Sequence, residues 1–426
     1  MTFQTSSGGP GIPGELFIRD RAKFPAGDLA ALITGLRHTL HRNAELSGAE
    51  HKTKAILMDF LRAHTDFTVT DRGAWFYAFR GAASHADNAA STEAPAFPAT
   101  ASETPAAAAS ETPAAKPPIA IRADMDALPI PETCSLPYAS EDPAVSHRCG
   151  HDGHSAALCG LALALTGQPL PRDVYLIFQH AEETGAGARV CAELLSEKGI
   201  REIYAFHNLN GYPPGRVVLR RGQTQPASVG RTISFTGAPA HASAPEQGKS
   251  PARAVAELCL YIDELLLKSH RGMLLATVVN LNVGTKDFGV APGAGELSVT
   301  ERAEYEEEMD ALDQALCEKA RQLAARDGLT VSFSESDRFP ATVNDDSCIC
   351  RVVKAAVDVT GVPAIEMDKM WRASEDFGWY TKRCPGTIFY IGSGEDYPAL
   401  HTEVYDFPDE ILPTAVQMFR ALIIPG

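Results

Sequence analysis

The sequence lacks long apolar runs, an excess of basic residues and paired cysteine spacings. No apolar segment is long enough to cross a bilayer, and the first residues, MTFQTSSGG, lack the charged and apolar regions of a signal peptide. The formal net charge of -16 leaves no electrostatic footprint for nucleic acid or for an anionic membrane surface. We therefore expect a cytoplasmic protein that binds neither nucleic acid nor membrane.

The cysteines do not indicate a disulfide framework. There are nine of them, an odd number, and four, Cys159, Cys191, Cys259 and Cys317, fall at small apolar positions of predicted helices, as buried thiols do. Cys348 and Cys350 are close together, but no second pair accompanies them, so a zinc ribbon is not indicated. Only Cys149 has other potential metal ligands beside it.

What the sequence does contain is two short motifs rich in reactive side chains. HRCGHDGH, residues 147–154, places one cysteine and three histidines within eight positions, and QHAEE, residues 179–183, ends a predicted strand in two glutamates. Thiolate, imidazole and carboxylate are ligands of borderline divalent metals. Glu182 and Glu183 point in different directions at a strand end, so one can bind metal while the other moves a proton. A bound metal lowers the pKa of water from ~15.7 to ~7, so the motifs indicate metal-assisted hydrolysis.

Strands and helices alternate around these motifs. Apolar strands predicted at 119–122, 174–178 and 203–206 are separated by helices at 155–165 and 188–198. This alternation predicts an α/β sheet with helices on both faces. The candidate ligands follow the carboxyl ends of the strands, where open α/β sheets place their sites.

The part of the chain before these elements contains a low-complexity segment. Helical spacing of apolar residues predicts one helix from Asp28 to Leu61, followed by strands at 67–70 and 75–79. Residues 82–118 are dominated by Ala, Pro, Ser, Thr and Glu, which are unable to form a core, so we predict a disordered insertion between two strands. A linker between separate domains is the weaker alternative, because it would leave a lone hairpin before it.

The pattern changes again from about residue 228. The order of predicted elements becomes β-α-β-β-α-β, as in a ferredoxin-like module, and the α/β pattern returns near residue 350. We therefore predict a catalytic domain at 14–227 and 341–426 and an α+β domain inserted at 228–340.

Taken together, the motifs resemble the co-catalytic metallopeptidases that include aminoacylase, hippurate hydrolase and the auxin-amino-acid conjugate hydrolases. The resemblance runs from about Arg37 to the end of the chain, and is greatest for the amidohydrolase branch, which has cysteine where other members have a metal-binding aspartate. The shared segments include RHTLH from 37, RADMDALP from 122, CGHDGH from 149, QHAEE from 179, GAPAHA from 237, FPATVND from 339 and SEDF from 374.

The resemblance implies a mixed-sheet, zinc-peptidase-like α/β catalytic domain with an inserted ferredoxin-like lid and dimerisation domain. It implies two divalent ions, manganese or zinc first and cobalt or nickel as alternatives. Their ligands would be Cys149, His151, Glu183, His207 and His401, with Cys149 as the bridge. Glu182 would be the general base, and Arg302 would hold the substrate carboxylate. His241 would stabilise the oxyanion, often in the active site of the dimer partner.

The same residues also have simpler interpretations. A structural zinc site at Cys149 would be a closed tetrahedron with paired ligand spacing, which the sequence lacks. His154, at the start of a predicted helix, is expected to pack or to support a ligand. Glu375 and Asp376 also fit a helix N-terminus, and Arg302 also fits a solvated or ion-paired strand face.

The sequence thus predicts a metal-dependent amidohydrolase, acting on the C–N bond of N-acyl amino acids and working as a homodimer. A metallo-dipeptidase or carboxypeptidase is the nearest alternative. A catalytically silent metal-containing binding protein is the alternative of another class, and the presence of Glu182 argues against it. Gly289 stands where the resembled family commonly has asparagine, so the acyl group and the amino acid stay undefined.

Overall fold

A computed structural model describes residues 26–83 and 116–424 of the chain. The predicted insertion at 82–118, apart from its ends, and the predicted start of the catalytic domain at residue 14 lie outside the described residues. Among the helices of the described part, none is long and apolar enough to span a membrane.

The described residues form ten α-helices and sixteen strands, numbered along the chain. The helices are α1 (Ala26–Arg42), α2 (His51–His64), α3 (His151–Leu165), α4 (Ala188–Cys191), α5 (Glu193–Glu197), α6 (Ala252–Leu266), α7 (Glu306–Asp327), α8 (Asp346–Thr360), α9 (Gly378–Thr381) and α10 (Leu412–Ile423). The strands are β1 (Thr68–Asp71), β2 (Phe76–Arg80), β3 (Ile119–Asp124), β4 (Val174–Gln179), β5 (Glu202–Asn210), β6 (Val217–Leu219), β7 (Gly222–Gln225), β8 (Ala227–Thr236), β9 (Ala240–His241), β10 (Leu274–Val283), β11 (Val290–Ala291), β12 (Ala294–Ala303), β13 (Thr330–Phe339), β14 (Thr342–Asn344), β15 (Ile365–Glu366) and β16 (Gly386–Gly394).

The main domain is built on an eight-stranded mixed sheet. Its order is β1-β2-β4-β3-β5-β16-β6-β15, and β4, β3, β5 and β16 run parallel at its centre. One face packs against α1, α2, α3, α8 and α10, and the other against α4, α5 and α9. The central strands are buried along their length because helices cover both faces, which confirms the predicted α/β arrangement.

Helix α3, which begins at His151, lies deep in this layer. Almost all of its residues are buried, since it packs against α1, α10 and the sheet. Small residues allow this close packing: a Cβ on Gly160 would lie 2.7 Å from Cγ2 of Val416. The helix therefore holds its first turn firmly at the carboxyl edge of the parallel strands.

The single helix predicted from Asp28 to Leu61 is wrong, because the structure has two helices there, α1 and α2. The chain turns between them at Gly48, whose φ of +79° carries little cost for glycine. The carboxylate of Glu45 then accepts hydrogen bonds from the amide and the hydroxyl of Thr53 in the first turn of α2. The helix predicted at 188–198 is likewise two short helices, α4 and α5.

The inserted region forms a four-stranded antiparallel sheet in the order β10-β12-β8-β13. Helices α6 and α7 cover one face, so every second residue of β12 from Gly295 to Ala303 is buried. The chain order β8-α6-β10-β12-α7-β13 confirms the predicted ferredoxin-like pattern. This sheet begins at Ala227 and ends at Phe339, while the domain boundaries at 228 and 340 stay predictions.

Candidate metal centre

The five predicted ligands meet at the carboxyl edge of the main sheet, although they are distant in sequence. Cys149 and His151 lie at the start of α3, Glu183 follows β4, His207 is on β5, and His401 follows β16. Cys149 belongs to two groups whose ligand atoms lie within 4.8 Å of one another, one with His151 and His207 and one with Glu183 and His401. A single thiolate shared by two groups is the arrangement that the predicted bridge requires.

The turn between Cys149 and His151 depends on glycine. Gly150 has a φ of +99°, and a Cβ at this position would lie 2.5 Å from Oδ1 of Asn208. Only glycine adopts this backbone at low cost and fits the space. The turn allows the thiol and the imidazole to face the same centre.

Two buried atoms at this centre lack a hydrogen-bond partner among the described residues. They are Nε2 of His151 and Oε1 of Glu183, which lie 3.7 Å apart. The other ring nitrogen of His151, Nδ1, donates to Oδ1 of Asp126 at 3.1 Å. A buried imidazole that is oriented by a carboxylate on one side and unpartnered on the other is typical of a metal ligand. The donor set therefore fits a divalent cation.

Protons occupy these donors when no cation is bound. Burial would lower the pKa of His151, but Asp124 and Asp126 together raise it to about 10. Burial, with the charges of Glu183 and Glu182, raises the pKa of the Cys149 thiol well above its usual value. Metal binding requires these groups to lose their protons, so affinity for a cation should increase with pH.

Glu182 lies beside the two ligand groups without belonging to the proposed five. Its Oε2 is 3.8 Å from Nε2 of His151. Burial first, and then the nearby carboxylates of Glu375 and Glu183, raise the pKa of Glu182 well above its usual value. A carboxylate with a raised pKa is suited to accept and return a proton near neutral pH.

A cleft of about 530 Å³ connects this centre with the inserted sheet. Its lining includes Glu182 and His401 from the main domain and Ser228, Thr300 and Arg302 from the inserted sheet. Nη2 of Arg302 donates to the hydroxyl of Ser374 at 2.9 Å, while its Nε is buried without a partner among the described residues. Burial and the charge of Arg372 lower the pKa of Arg302. No described carboxylate pairs with Arg302, so the ion-paired interpretation of this residue does not hold.

Comparison with known proteins identifies the family to which the chain belongs. Residues 120–424 match the model of the family described as peptidase family M20/M25/M40. The chain belongs to this family. The resemblance found from the motifs is thereby confirmed.

Individual M20 relatives carry the names of amidohydrolases. The N-acetylcysteine deacetylase of Bacillus subtilis is 30% identical over 315 residues, covering 72% of this chain and 81% of the relative. The hippurate hydrolase of Campylobacter jejuni is 27% identical over 313 residues, covering 72% of this chain and 81% of the relative. A solved Bacillus subtilis structure, described as a dinuclear metal-binding peptidase of the M20 family, has a TM-score of 0.73 at 24% identity. It covers 93% of this chain and 98% of that chain, and it shows the shared fold.

The M20 motifs also contain residues that are not proposed ligands but are hydrogen-bonded to side chains next to the ligands. Both ring nitrogens of His154 are hydrogen-bonded, Nδ1 to Asp124 and Nε2 to Oδ1 of Asn208, each at 2.6 Å. His154 is therefore placed to orient neighbours, as the sequence suggested, and is not free to bind metal. His41 is buried, and its Nδ1 lies 2.9 Å from Oδ2 of Asp152.

Sequence reasoning missed the importance of Arg122. Its guanidinium is buried and contacts Asp124 at 2.6 Å, Asp376 at 3.0 Å and Glu375 at 3.1 Å. It thereby holds the carboxylates that surround Glu182. A charged residue within the apolar strand IAIRAD was the signal that could have identified it.

The structure does not bring His241 to the cleft of its own chain. His241 is exposed on β9, where it pairs with Val290 of β11, and it is not among the residues that line the cleft. Its Nδ1 accepts hydrogen bonds from the amide and hydroxyl of Ser243. A role in the partner's active site stays a prediction.

Proposed function

We propose that this M20 chain is a metal-dependent amidohydrolase that cleaves N-acyl amino acids to a carboxylic acid and a free amino acid. The observation that carries the proposal is the sharing of Cys149 by two ligand groups, in a cleft that buried Glu182 and Arg302 also line. The deacetylase and hydrolase names of the relatives support the same reaction class.

We assign two divalent ions, manganese or zinc, to Cys149, His151, Glu183, His207 and His401. Support comes from the unpartnered Nε2 of His151 and Oε1 of Glu183. When bound, the ions would supply Lewis-acid polarisation of the amide carbonyl and acidify water. Thiolate and imidazole favour zinc, whereas the carboxylate also suits manganese.

Glu182 is the residue we assign to proton transfer. Its carboxylate takes a proton from the attacking water and later gives it to the amine nitrogen of the leaving amino acid. Glu375, held by Arg122, places negative charge beside Glu182 and so keeps its proton affinity high. The same carboxylate can therefore act first as base and then as acid.

Arg302 is the residue we assign to the carboxylate of the substrate. Its guanidinium lines the cleft and has no carboxylate partner among the described residues. An anion bound there would receive charge-assisted hydrogen bonds. Such a contact requires a free carboxylate on the substrate, which N-acyl amino acids supply.

We further propose a homodimer formed through the inserted domain. Strand β10 is an edge of its sheet and exposes the apolar residues Val278, Val279 and Leu281. Phe288, 98% exposed, lies close in sequence to the β11 residue that pairs with His241. An exposed apolar edge favours pairing with a second copy, which would let His241 serve the partner's cleft.

A cytoplasmic location also stays a prediction.

The proposal is tested with protein loaded with zinc or manganese and a panel of N-acetyl and N-benzoyl amino acids and dipeptides. Release of amine from the acyl compounds is expected. Cleavage of dipeptides alone would favour the dipeptidase alternative, and no turnover with metal bound would favour the silent binding protein.

The assignment of the base is tested with Glu182→Gln. We expect a loss of kcat of roughly 10²–10⁴-fold with the metal content unchanged, because proton transfer is removed and the ligands remain. Glu193→Gln, which changes an exposed carboxylate on α5, is the matched control and should retain activity. Retained turnover in Glu182→Gln would contradict the assignment.

A further inference from the structure

Strand β13 contains a bulge at the edge of the cleft. Ser336 pairs with Gly230 and Phe339 pairs with Ser228, so three steps along β13 match two steps along β8. The extra position includes Asp337, whose φ is +50°. The other described non-glycine residues with positive φ are Ala181, which precedes Glu182, and His401. Among the described non-glycine residues, left-handed backbone therefore occurs only in the cleft lining or directly before Glu182.

The bulge changes which face Asp337 occupies. Before it, Glu335 faces α7 and pairs with Arg231 at 3.0 Å, and regular alternation would place Asp337 on the same face. Instead, Arg338 faces α7, where it pairs with Asp310 at 3.0 Å. Asp337 is turned to the opposite face and lines the cleft. Bulges near active sites commonly redirect a side chain in this way.

The redirected carboxylate belongs to an exposed residue and has no ion-pair partner among the described residues. None of the ion pairs among the described residues includes Asp337, although Arg338 beside it makes two. Backbone strain at a non-glycine residue persists where the surrounding structure or a function requires it. A strained residue that presents an unpaired charge to the cleft points to a ligand of opposite charge.

Asp337 shares its wall of the cleft with Arg302. Arg302 pairs across β12 and β8 with Ser228, which pairs in turn with Phe339 of β13. Two strand spacings, roughly 10 Å, separate the backbones of β12 and β13. Between them lie the small residues Ser228 and Gly230. This wall of the cleft thus presents the guanidinium of Arg302 and the carboxylate of Asp337, with a shallow gap between them.

We infer that Asp337 is a specificity-determining residue that binds the side-chain ammonium of a basic amino acid, while Arg302 binds its carboxylate. The preferred substrates are then Nα-acyl derivatives of lysine or ornithine. This inference rests on the proposed amidohydrolase function and names its substrate class.

The test compares Nα-acetyl-lysine with Nα-acetyl-norleucine, which has the same carbon chain without the ammonium. The wild-type protein should prefer the lysine compound in kcat/KM by roughly tenfold. Asp337→Asn, which tolerates the same backbone, should remove this preference and leave the norleucine compound within about twofold. Asp337→Gly should also remove it, although it relieves the backbone strain and should not lower Tm.

The matched control is Glu246→Gln, which removes one exposed carboxylate of the inserted domain outside the cleft lining. It should leave the preference unchanged. An equal preference in wild type and Asp337→Asn would overturn the inference. Loss of glycyl-norleucine cleavage in Asp337→Asn, with the lysine preference intact, would also overturn it and assign Asp337 to a dipeptide amine.

Failure of the proposed function is distinguishable from failure of this inference. Hydrolysis of neither acetyl compound would count against the reaction and not against the charge preference. In that case, calorimetric binding of the same two compounds to metal-loaded protein decides the inference. Tighter binding of the lysine compound, lost in Asp337→Asn, supports it, and equal binding overturns it.

Discussion

Buried carboxylates are held very differently in the main domain and in the inserted domain. Asp152, in the main domain, contacts Arg37 at 3.3 Å and His41 at 2.9 Å, and all three side chains are fully buried. Glu301, in the inserted domain, is fully buried, and neither of its oxygens has a hydrogen-bond partner among the described residues. One carboxylate is compensated by cations, and the other is not.

The difference appears in the proton affinities. Burial opposes ionisation of Asp152, but His147, His41 and Arg37 hold its pKa well below the usual range. Burial and the charge of Asp313 raise the pKa of Glu301 to about 8. The comparison teaches that the network behind the metal centre is built to stay charged, whereas the core beneath the cleft wall favours a neutral glutamic acid.

The largest effect on stability is expected from Asp152→Asn. The change is nearly isosteric but leaves Arg37 and His41 buried beside a neutral amide, so the free energy of unfolding should fall by about 3–5 kcal/mol in urea titrations. Asp313→Asn, which breaks a partly exposed pair with Arg231, is the matched change in the inserted domain and should cost about 1 kcal/mol. Equal losses in the two variants would remove the contrast between the domains.

Glu301→Gln should stabilise the protein in a pH-dependent way. Because the folded pKa of about 8 exceeds the usual 4.5, the unfolded chain ionises first, and the free energy of unfolding falls as pH rises between these values. The variant should therefore gain roughly 3 kcal/mol at pH 7 and little near pH 4.5. Thermal unfolding of both proteins across this range measures the gain. A constant difference at all pH values would contradict the neutral Glu301.

Arg302→Met tests whether the inserted domain contributes binding and the main domain chemistry. The loss of charge-assisted hydrogen bonds to the substrate should raise KM by roughly 10–100-fold with a smaller change in kcat. Steady-state kinetics on N-acetyl amino acids provide the measurement. A fall in kcat with KM unchanged would instead place Arg302 among groups that act only in the transition state.

The smallest effect on folding is expected at the outer edge of the inserted sheet. Val279→Lys changes a residue that is 62% exposed on β10, so the stability of the subunit should change by no more than about 0.5 kcal/mol. The proposed dimer should nevertheless dissociate, as measured by light scattering at micromolar concentration. Val357→Lys on α8 is the control, because it is exposed on the main domain. A wild-type monomer would contradict the dimer directly.

Local patterns in the sequence predicted much of this architecture. The apolar strands, the β-α-β-β-α-β order and the clustered donors of CGHDGH and QHAEE each depend on residues close together in the chain. The break between α1 and α2 was missed because Glu45 stabilises it through a contact with Thr53 that the helical spacing does not reveal. Arg122 was missed because its partners at 375 and 376 are remote in sequence.

The sequence by itself determined the family, the types of metal-binding side chain and the proton-transfer candidate. These depend on the side chains of short motifs, whose residues are adjacent in the chain. Only the tertiary structure decided which side chains meet. Cys149 belongs to two ligand groups whose other members come from segments far apart in the chain. His241 lies away from the cleft of its own chain. Asp337 faces that cleft because of one extra residue in β13 relative to β8. Such features depend on register and packing between distant segments, which periodicity along one segment does not specify.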